Sequence, residues 1–90
     1  MPERVSVRIV NKQGLHARPI SRFVQTAGQY EASISVRGPD GTVADGRSIF
    51  SMMTLAAGQG SELVMEADGR QAAEVLVALQ RLVAAGFGEP

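Results

Sequence analysis

The single histidine of this 90-residue chain, His16, stands in the stretch from Gly14 to Pro19. A free histidine side chain has a pKa of about 6.5, so it is largely neutral at cellular pH and one ring nitrogen can act as a nucleophile. Arg18, two residues later, carries a permanent positive charge on a planar fork of donors that suits phosphate. These residue types favour transfer of a phosphoryl group to and from the imidazole.

The residues around His16 predict that it lies at the start of a helix. Gly14 suits a tight turn, and Pro19 fits the first turn of a helix but not its interior. We therefore predict a helix from near Ala17 to about Ala27, with Gly28 as its C-terminal stop. The apolar residues that follow Pro19 are spaced to share one face of that helix: Ile20, Phe23, Val24 and Ala27.

A histidine at a helix N-cap lies beside unpaired backbone N–H groups and the positive end of the helix dipole, which together form an anion site. Such a site can stabilise phosphohistidine modestly and still release the phosphoryl group. The chain has no cysteine and no second histidine that could share a metal ion, and no base that would complete a catalytic triad. We expect neither a metal nor a cofactor.

Composition limits the other classes of function. Nine basic and nine acidic residues cancel, which argues against a nucleic-acid-binding protein. No apolar run approaches the roughly 18 residues that span a bilayer, and the first residues lack a signal-peptide core. The absence of cysteine is compatible with the cytoplasm. We expect one cytoplasmic domain over residues 1–90, without insertion into a membrane.

Two segments of the chain carry a resemblance to a known family. The first resembles the active-site signature of HPr, the histidine-containing phosphocarrier of the bacterial phosphotransferase system, and the second resembles the regulatory-serine region of that family. The similarity extends from about Val5 to Glu89. The two segments are Gly14-Leu15-His16-Ala17-Arg18-Pro19 and Gly46-Arg47-Ser48-Ile49-Phe50-Ser51-Met52-Met53-Thr54-Leu55.

The resemblance implies a phosphoryl relay through His16 and Arg18. Enzyme I, phosphorylated from phosphoenolpyruvate, would pass its phosphoryl group to Nδ1 of His16, and His16 would pass it to a IIA component of a sugar permease or of a regulatory branch. In this role the protein is consumed and regenerated in each cycle and is not an enzyme with independent turnover. Nothing in the chain demands a dimer, so we expect a monomer.

Ser48 has two interpretations. Its residue type and position predict the N-cap of a short helix over about Ile49 to Leu55. The resemblance implies a second role, because a dedicated HPr kinase/phosphorylase modifies the matching serine in many Gram-positive members of the family. Phe50 and Ser51 stand where the Gram-positive pattern usually has Met and Gly, and Phe50 is closer to the enteric type, which generally lacks serine control.

The short helix after Ser48 also predicts a docking surface. Four of its first five residues are apolar, and they cannot all face inward. About half of them should therefore remain exposed, and methionine suits a surface that meets several partners. Positive charges around the patch would speed encounter with acidic partners. The residues that we assign to docking are Ala17, Arg22, Arg47, Ile49, Phe50 and Met53.

Periodicity predicts the remaining elements. Apolar and polar residues alternate along four strands, which lie around Val5–Ile9, Ala32–Arg37, Thr42–Asp45 and Glu62–Ala67. The segment from Gly38 to Gly41 predicts the turn of a hairpin. Asp68 and Gln71 resemble a capping box for a last helix, which Gly86 ends. The residues of that helix that share one face are Ala72, Leu76, Leu79 and Val83, and Phe87 to Pro90 should form a loose tail.

With one apolar face on each strand, the helices should cover one side of an antiparallel sheet and leave the other in water. We therefore predict an α+β open-faced sandwich with topology βαββαβα, four strands, and three helices on one face. The strand order 1-4-2-3 is implied by the family resemblance.

Three other functions are alternatives to a carrier of the sugar branch. A nitrogen-branch carrier would share the fold and regulate without moving sugar. A non-catalytic binding module would keep His16 for structure and use the apolar patch to recognise a partner. A small RNA-binding domain is disfavoured by zero net charge and only four aromatic residues.

Overall fold

A computed structural model describes residues 2–89 and contains one sheet of four antiparallel strands. The strands are β1 (Glu3–Arg8), β2 (Ser33–Arg37), β3 (Val43–Asp45) and β4 (Glu62–Asp68), and they lie in the spatial order β1-β4-β2-β3. The helices are α1 (Ala17–Ala27), α2 (Ile49–Met52) and α3 (Ala72–Ala84), followed by a 3₁₀ turn over Gly86–Gly88. The predicted topology and strand order are confirmed.

The strand register places apolar side chains on one face of the sheet. In the centre of the sheet, Met65 of β4 lies opposite Val5 of β1 and Val36 of β2. The other face carries polar side chains, including an ion pair of 2.9 Å between Arg4 and Glu66 of neighbouring strands. Helices therefore cover one face only, as the alternating pattern predicted.

The helices complete the core with the faces that their periodicity predicted. Helix α1 buries Pro19, Ile20, Phe23 and Ala27, and α3 buries Ala72, Val75, Leu76, Leu79 and Val83. Phe23 has no exposed surface and is among the largest buried side chains in the protein. The two helices contact each other, and α3 also packs on β1 and β4.

The predicted capping box of the last helix is wrong. Asp68 is the final residue of β4, and the chain then turns through Gly69. The N-cap of α3 is Gln71, which forms no side-chain cap; its Oε1 accepts instead from the backbone N–H of Glu31 at 2.9 Å. The strand continues one residue further than expected, so Asp68 is paired with Ser33 in the sheet and cannot cap the helix.

The short helix is also shorter than predicted, ending at Met52 instead of Leu55. Its start is as expected: the Oγ of Ser48 accepts from the backbone N–H of Ser51 at 3.2 Å. Leu55 is buried beyond the end of the helix, where the chain turns into the loop that leads to β4.

The prediction of a loose C-terminal tail is wrong for Phe87 to Glu89, whereas Pro90 lies outside the described residues. Phe87 is 1% exposed and belongs to the hydrophobic core. The three residues Gly86, Phe87 and Gly88 all have positive φ, a conformation that costs little for glycine but is uncommon for phenylalanine. Burial of the Phe87 ring holds the chain in this turn and directs Glu89 back over the fold.

Candidate functional site

The loop before α1 is fixed by a close approach to the loop before β4. Gly14 has a φ of 69°, and a Cβ atom at this position would lie 2.6 Å from the backbone oxygen of Ala57. The backbone N–H of Leu15 donates to that same oxygen at 2.9 Å. Only glycine can be accommodated at this position. The contact between the two loops places Leu15 and His16 at the start of the helix.

His16 is the N-cap residue of α1, as predicted, with extended backbone angles. Its carbonyl accepts the first helical hydrogen bond, from the N–H of Ile20 at 3.0 Å. Its ring makes no capping bond to the helix and is 36% exposed. The first backbone N–H groups of a helix have no carbonyl acceptor one turn earlier. Because Pro19 has no N–H, these unpaired donors in α1 are the N–H groups of Ala17 and Arg18. The imidazole thus lies beside free amide donors and remains accessible from outside.

The imidazole is held by a carboxylate from the far end of the chain. Nε2 of His16 lies 2.8 Å from Oε1 of Glu89. The same carboxylate oxygen accepts from Nδ2 of Asn11 at 2.9 Å, and this Nδ2 also donates to the backbone oxygen of Gly14 at 2.8 Å. Asn11 is 1% exposed, so a buried amide ties the loop before the helix to the C-terminal segment.

Two cations share the open depression in which the ring lies. Lys12 and Arg18 line it together with Gln13, His16, Ala17 and Glu89. Both cationic side chains are exposed, and so is Ala17. An anion that enters the depression would therefore meet an imidazole, two backbone amides and two exposed positive charges.

Arg22 and Arg47, predicted for docking, both hold backbone in the structure. Arg22 donates through Nη1 to the backbone oxygen of Phe87. Arg47 donates through Nη1 to the backbone oxygens of Tyr30 and Ala32, each at 2.9 Å. Their guanidinium groups therefore tie α1 to the C-terminal turn and the start of α2 to the loop after α1.

The apolar residues of the second segment divide between core and surface, with one of the four buried instead of the predicted half. Met52 is fully buried, whereas Ile49, Phe50 and Met53 are 45%, 85% and 59% exposed. Helix α2, which carries this exposed patch, contacts α1, the helix that His16 opens. An apolar side chain that is 85% exposed contributes little to the core and is available to a partner.

The contact with His16 lowers the pKa of Glu89. The hydrogen bond from the imidazole holds the pKa of the Glu89 carboxyl below its ordinary value, and the Asn11 amide and the positive charge of Arg18 act in the same direction. A lowered pKa in the folded state means that this contact stabilises the protein above the ordinary pKa of glutamate. The contribution is lost as the pH falls through the lower, folded-state pKa.

We expect the Glu89 carboxyl to titrate below the ordinary glutamate range in carbon NMR, and the His16→Ala variant to move that midpoint upward. The reason is that the variant removes the donor that contributes most to the shift. The same midpoint in both proteins would show that the imidazole does not stabilise the ionised carboxylate.

Sequence reasoning missed Asn11 and Glu89. Asn11 was assigned to a polar loop and Glu89 to a loose tail, and the two residues are separated by 78 positions. The one local signal was Phe87, a large apolar residue flanked by glycines after the end of a helix, which is more typical of an anchored turn than of a disordered end.

Comparison with known proteins agrees with the geometry. Residues 4–85 match the family model described as "PTS HPr component phosphorylation site". The chain is 43% identical over 84 residues to the phosphocarrier protein HPr of Neisseria meningitidis, with 93% of each chain covered. It is 36% identical over 89 residues to the phosphocarrier protein NPr of Klebsiella oxytoca, with 99% of each covered.

The fold is similar to a solved HPr structure from Thermoanaerobacter tengcongensis, with a TM-score of 0.91, 38% identity and 98% of each chain covered. No helix within residues 2–89 is long and apolar enough to cross a membrane. The solved structure shares the fold described above, and the family model and the two relatives match the sequence of this chain over most of its length. The chain belongs to the HPr family of phosphocarrier proteins of the phosphotransferase system.

Proposed function

We propose that this phosphocarrier serves a sugar branch: His16 accepts a phosphoryl group from phosphorylated enzyme I and donates it to IIA components of sugar permeases. The observation that carries the proposal is the placement of the single histidine at the N-cap of α1, accessible and without a capping bond. A histidine in this position can bring a phosphoryl group next to the amides that open the helix.

The residues around the ring have separable roles in this relay. The backbone N–H groups of Ala17 and Arg18 would donate to phosphoryl oxygens, and the positive end of the helix dipole would favour their charge. The Arg18 guanidinium is free to reach the same oxygens from the exposed side. These contacts strengthen as charge develops on the transferring group, and they are weak enough that the group can leave again.

The exposed patch of Ile49, Phe50 and Met53 is the docking surface in this proposal. A carrier must bind several partners and release each quickly, so a small apolar patch on a helix that contacts α1 suits its task better than a large one. Flexible methionine adapts to partners of different shape. Ala17 is exposed at the start of α1 and extends the contact toward His16.

The relay is tested by incubating the protein with enzyme I and phosphoenolpyruvate and then adding purified IIA components. We expect an acid-labile, base-stable phosphate on the protein that appears only with enzyme I and disappears on addition of a sugar-type IIA. Absence of enzyme I-dependent phosphate would overturn the relay.

A nitrogen-branch role is the second candidate, since NPr proteins are among the relatives. The same reaction separates the two branches. Phosphoryl transfer to a nitrogen-type IIA, with no transfer to a sugar-type IIA, would establish the nitrogen branch instead. The higher identity to an HPr than to an NPr favours the sugar branch.

Replacing Arg18 with alanine should slow phosphoryl transfer from enzyme I about ten- to a hundredfold, the scale expected for one charge-assisted hydrogen bond to the transferring group. The rate is measured by quenched-flow labelling. Arg37→Ala, which removes an exposed arginine from β2, serves as the control for lost charge. Equal rates in the two variants would contradict a local role for Arg18.

Replacing Phe50 with alanine should weaken association with enzyme I about tenfold or more, because large apolar anchors account for much of the energy of small interfaces. Val77→Ala is the matched control, since Val77 is 46% exposed and lies on α3. Binding is measured by titration calorimetry. If both substitutions weaken binding equally, the α2 patch is not the docking surface.

Phosphorylation of Ser48 stays a prediction, and its helix-capping role is compatible with it. Phosphate on this residue would add negative charge at the edge of the docking patch and weaken binding to acidic partners. Incubation with an HPr kinase/phosphorylase, followed by mapping of serine phosphate, tests it. We further propose a cytoplasmic monomer as the working form, although the HPr of T. tengcongensis has also been solved as a dimer.

A further inference from the structure

We propose that the outer edge of β1, together with the groove between β1 and α3, binds an extended acidic segment of a partner protein as a fifth strand of the sheet. This interaction goes beyond the proposed relay, because it uses neither the α2 patch nor the depression around His16. The observations that support it are the outward-facing backbone of β1, the groove beside that strand and the charges along the edge.

The pairing of the sheet leaves alternate residues of β1 with their backbone groups directed outward. In an antiparallel pair, each residue directs its N–H and its C=O to the same side, and the side alternates along the strand. The N–H of Ile9 donates to the backbone oxygen of Ser61 at 2.8 Å, so the odd-numbered residues of β1 bond to β4. The backbone groups of Ser6 and Arg8 therefore face away from the sheet, and no other backbone group within residues 2–89 bonds to them.

The opposite edge of the sheet is closed by the chain itself. That edge is β3, which α2 contacts. The N–H of Asp45 donates to Oγ of Ser51 at 2.7 Å, and the C=O of Asp45 accepts from the N–H of Ser48 at 3.1 Å. β1 has six residues against three in β3, and exposed edge strands pair readily with extended segments. β1 is therefore the edge at which an added strand can pair.

A groove beside β1 can take the side chains of an added strand. It has a volume of about 290 Å³ and lies between β1 and the C-terminal half of α3. Val7, Val10 and Ala84 give it apolar surface, and Val10 is 47% exposed. Side chains of a strand alternate between the two faces of a sheet, so every second side chain of an added strand would enter this groove. Small apolar side chains suit it.

The charges along the edge favour acidic side chains on the other face of an added strand. Arg4 and Arg8 are both exposed, and Arg4 donates to the carboxylate of Glu66 in β4 at 2.9 Å. A carboxylate on the outer side of Arg4 would continue this alternation of charge from strand to strand. Arg8 donates through Nη1 to the backbone oxygen of Gly60 at 2.8 Å and keeps further guanidinium donors for a partner. Opposite charges that face each other on neighbouring strands stabilise the pairing.

The same charges disfavour a second copy of the chain as the occupant. In the antiparallel arrangement with the longest overlap of two β1 edges, Ser6 lies opposite its own equivalent, and Arg4 of each copy lies opposite Arg8 of the other. Like charges that face each other on neighbouring strands destabilise the pairing. The edge therefore suits a partner strand that supplies carboxylates at two positions four residues apart.

The probe for this surface is a nine-residue peptide with blocked ends, in which threonine alternates with valine and glutamate replaces threonine at the third and seventh positions. In an antiparallel arrangement its glutamates lie opposite Arg8 and Arg4, and its valines enter the groove. Binding to the full chain is followed by proton–nitrogen NMR. At saturation we expect hydrogen exchange of the Ser6 and Arg8 amides to slow about tenfold or more, because each gains an acceptor.

A second peptide, with lysine in place of both glutamates, tests the role of charge. We expect it to bind about tenfold more weakly, the scale of two cross-strand charge pairs. Arg8→Glu should abolish this preference, because it turns one attraction into a repulsion. Arg37→Glu is the matched control: it makes the same change of net charge on β2, two strands away from β1, and should keep the preference. Circular dichroism establishes that both variants are folded.

Equal affinity of the wild type for the two peptides, or no binding of either, would overturn the proposal. So would shift changes confined to α2 and the depression around His16, or a dimer formed through β1 in sedimentation. The bound glutamate peptide should leave enzyme I-dependent labelling unchanged, because α2 contacts the edge strand opposite β1. Inhibition of labelling would place the peptide on the docking surface of the relay and contradict a separate site. The binding measurement itself uses no enzyme I, so its outcome is independent of the relay.

Discussion

Replacing His16 with glutamine is expected to leave the protein without any enzyme I-dependent phosphate. Glutamine fills a similar volume and can hydrogen-bond to Glu89, but it has no nitrogen lone pair that can attack phosphorus at neutral pH. The chain has one histidine, so no second imidazole can substitute for it. The measurement is labelling from phosphoenolpyruvate through enzyme I, compared with the wild type.

The control for this experiment is the fold of the variant. The His16 ring is 36% exposed and makes no capping bond to α1, so the substitution should change the thermal midpoint only slightly. A folded variant that labels as well as the wild type would show that the phosphoryl group is carried elsewhere. A variant that labels more slowly but to the same extent would contradict the account equally.

Replacing Phe87 with alanine is expected to lower the free energy of unfolding by about 3–5 kcal/mol, the usual cost of deleting a buried aromatic ring. Phe87 is 1% exposed, and its loss leaves a cavity in the core beside α3, which the C-terminal turn contacts. This would be a large part of the stability of a 90-residue domain. Chemical denaturation followed by circular dichroism measures the effect.

The left-handed backbone at Phe87 allows a sharper version of this test. Glycine at position 87 loses the same ring but relieves the positive φ, which costs a side-chain-bearing residue roughly 1–2 kcal/mol. We therefore expect Phe87→Gly to be less destabilised than Phe87→Ala. Phe50→Ala removes the same ring from a position that is 85% exposed and should change stability little. If the three variants are equally stable, the C-terminal turn is not anchored by its aromatic ring.

The predictable part of the fold is the part that follows from local patterns. The alternation of Val5, Val7 and Ile9 and the spacing of Ile20, Phe23 and Ala27 both depend on neighbours a few residues apart, so the sequence alone shows them. The error at the start of α3 comes from a contact between residues that are far apart in the sequence. Asp68 resembles a helix cap locally, but its pairing with Ser33 in the sheet takes precedence, and nothing near Asp68 in the sequence reveals that pairing.

The candidate site also has one part that the local sequence predicts and one part that depends on distant residues. The N-cap position of His16 and the nearby charge of Arg18 follow from a few adjacent residues, including the proline that starts the helix. The contact between His16 and Glu89 spans 73 positions and depends on a buried phenylalanine in a left-handed turn. A glycine-flanked turn of this kind has no periodicity, so the sequence indicates where the chain bends but not what the following side chain reaches.

The most direct test of the central claim is to locate the phosphorus on the protein after labelling by enzyme I and phosphoenolpyruvate. Phosphorus and nitrogen NMR of the labelled protein show both the residue and the ring nitrogen that carries the group. We predict a single phosphoryl group on His16, attached to Nδ1, the ring nitrogen that the family resemblance implies. Phosphate on another residue, or on no residue at all, would contradict an acceptor that is selected by its position at the start of α1.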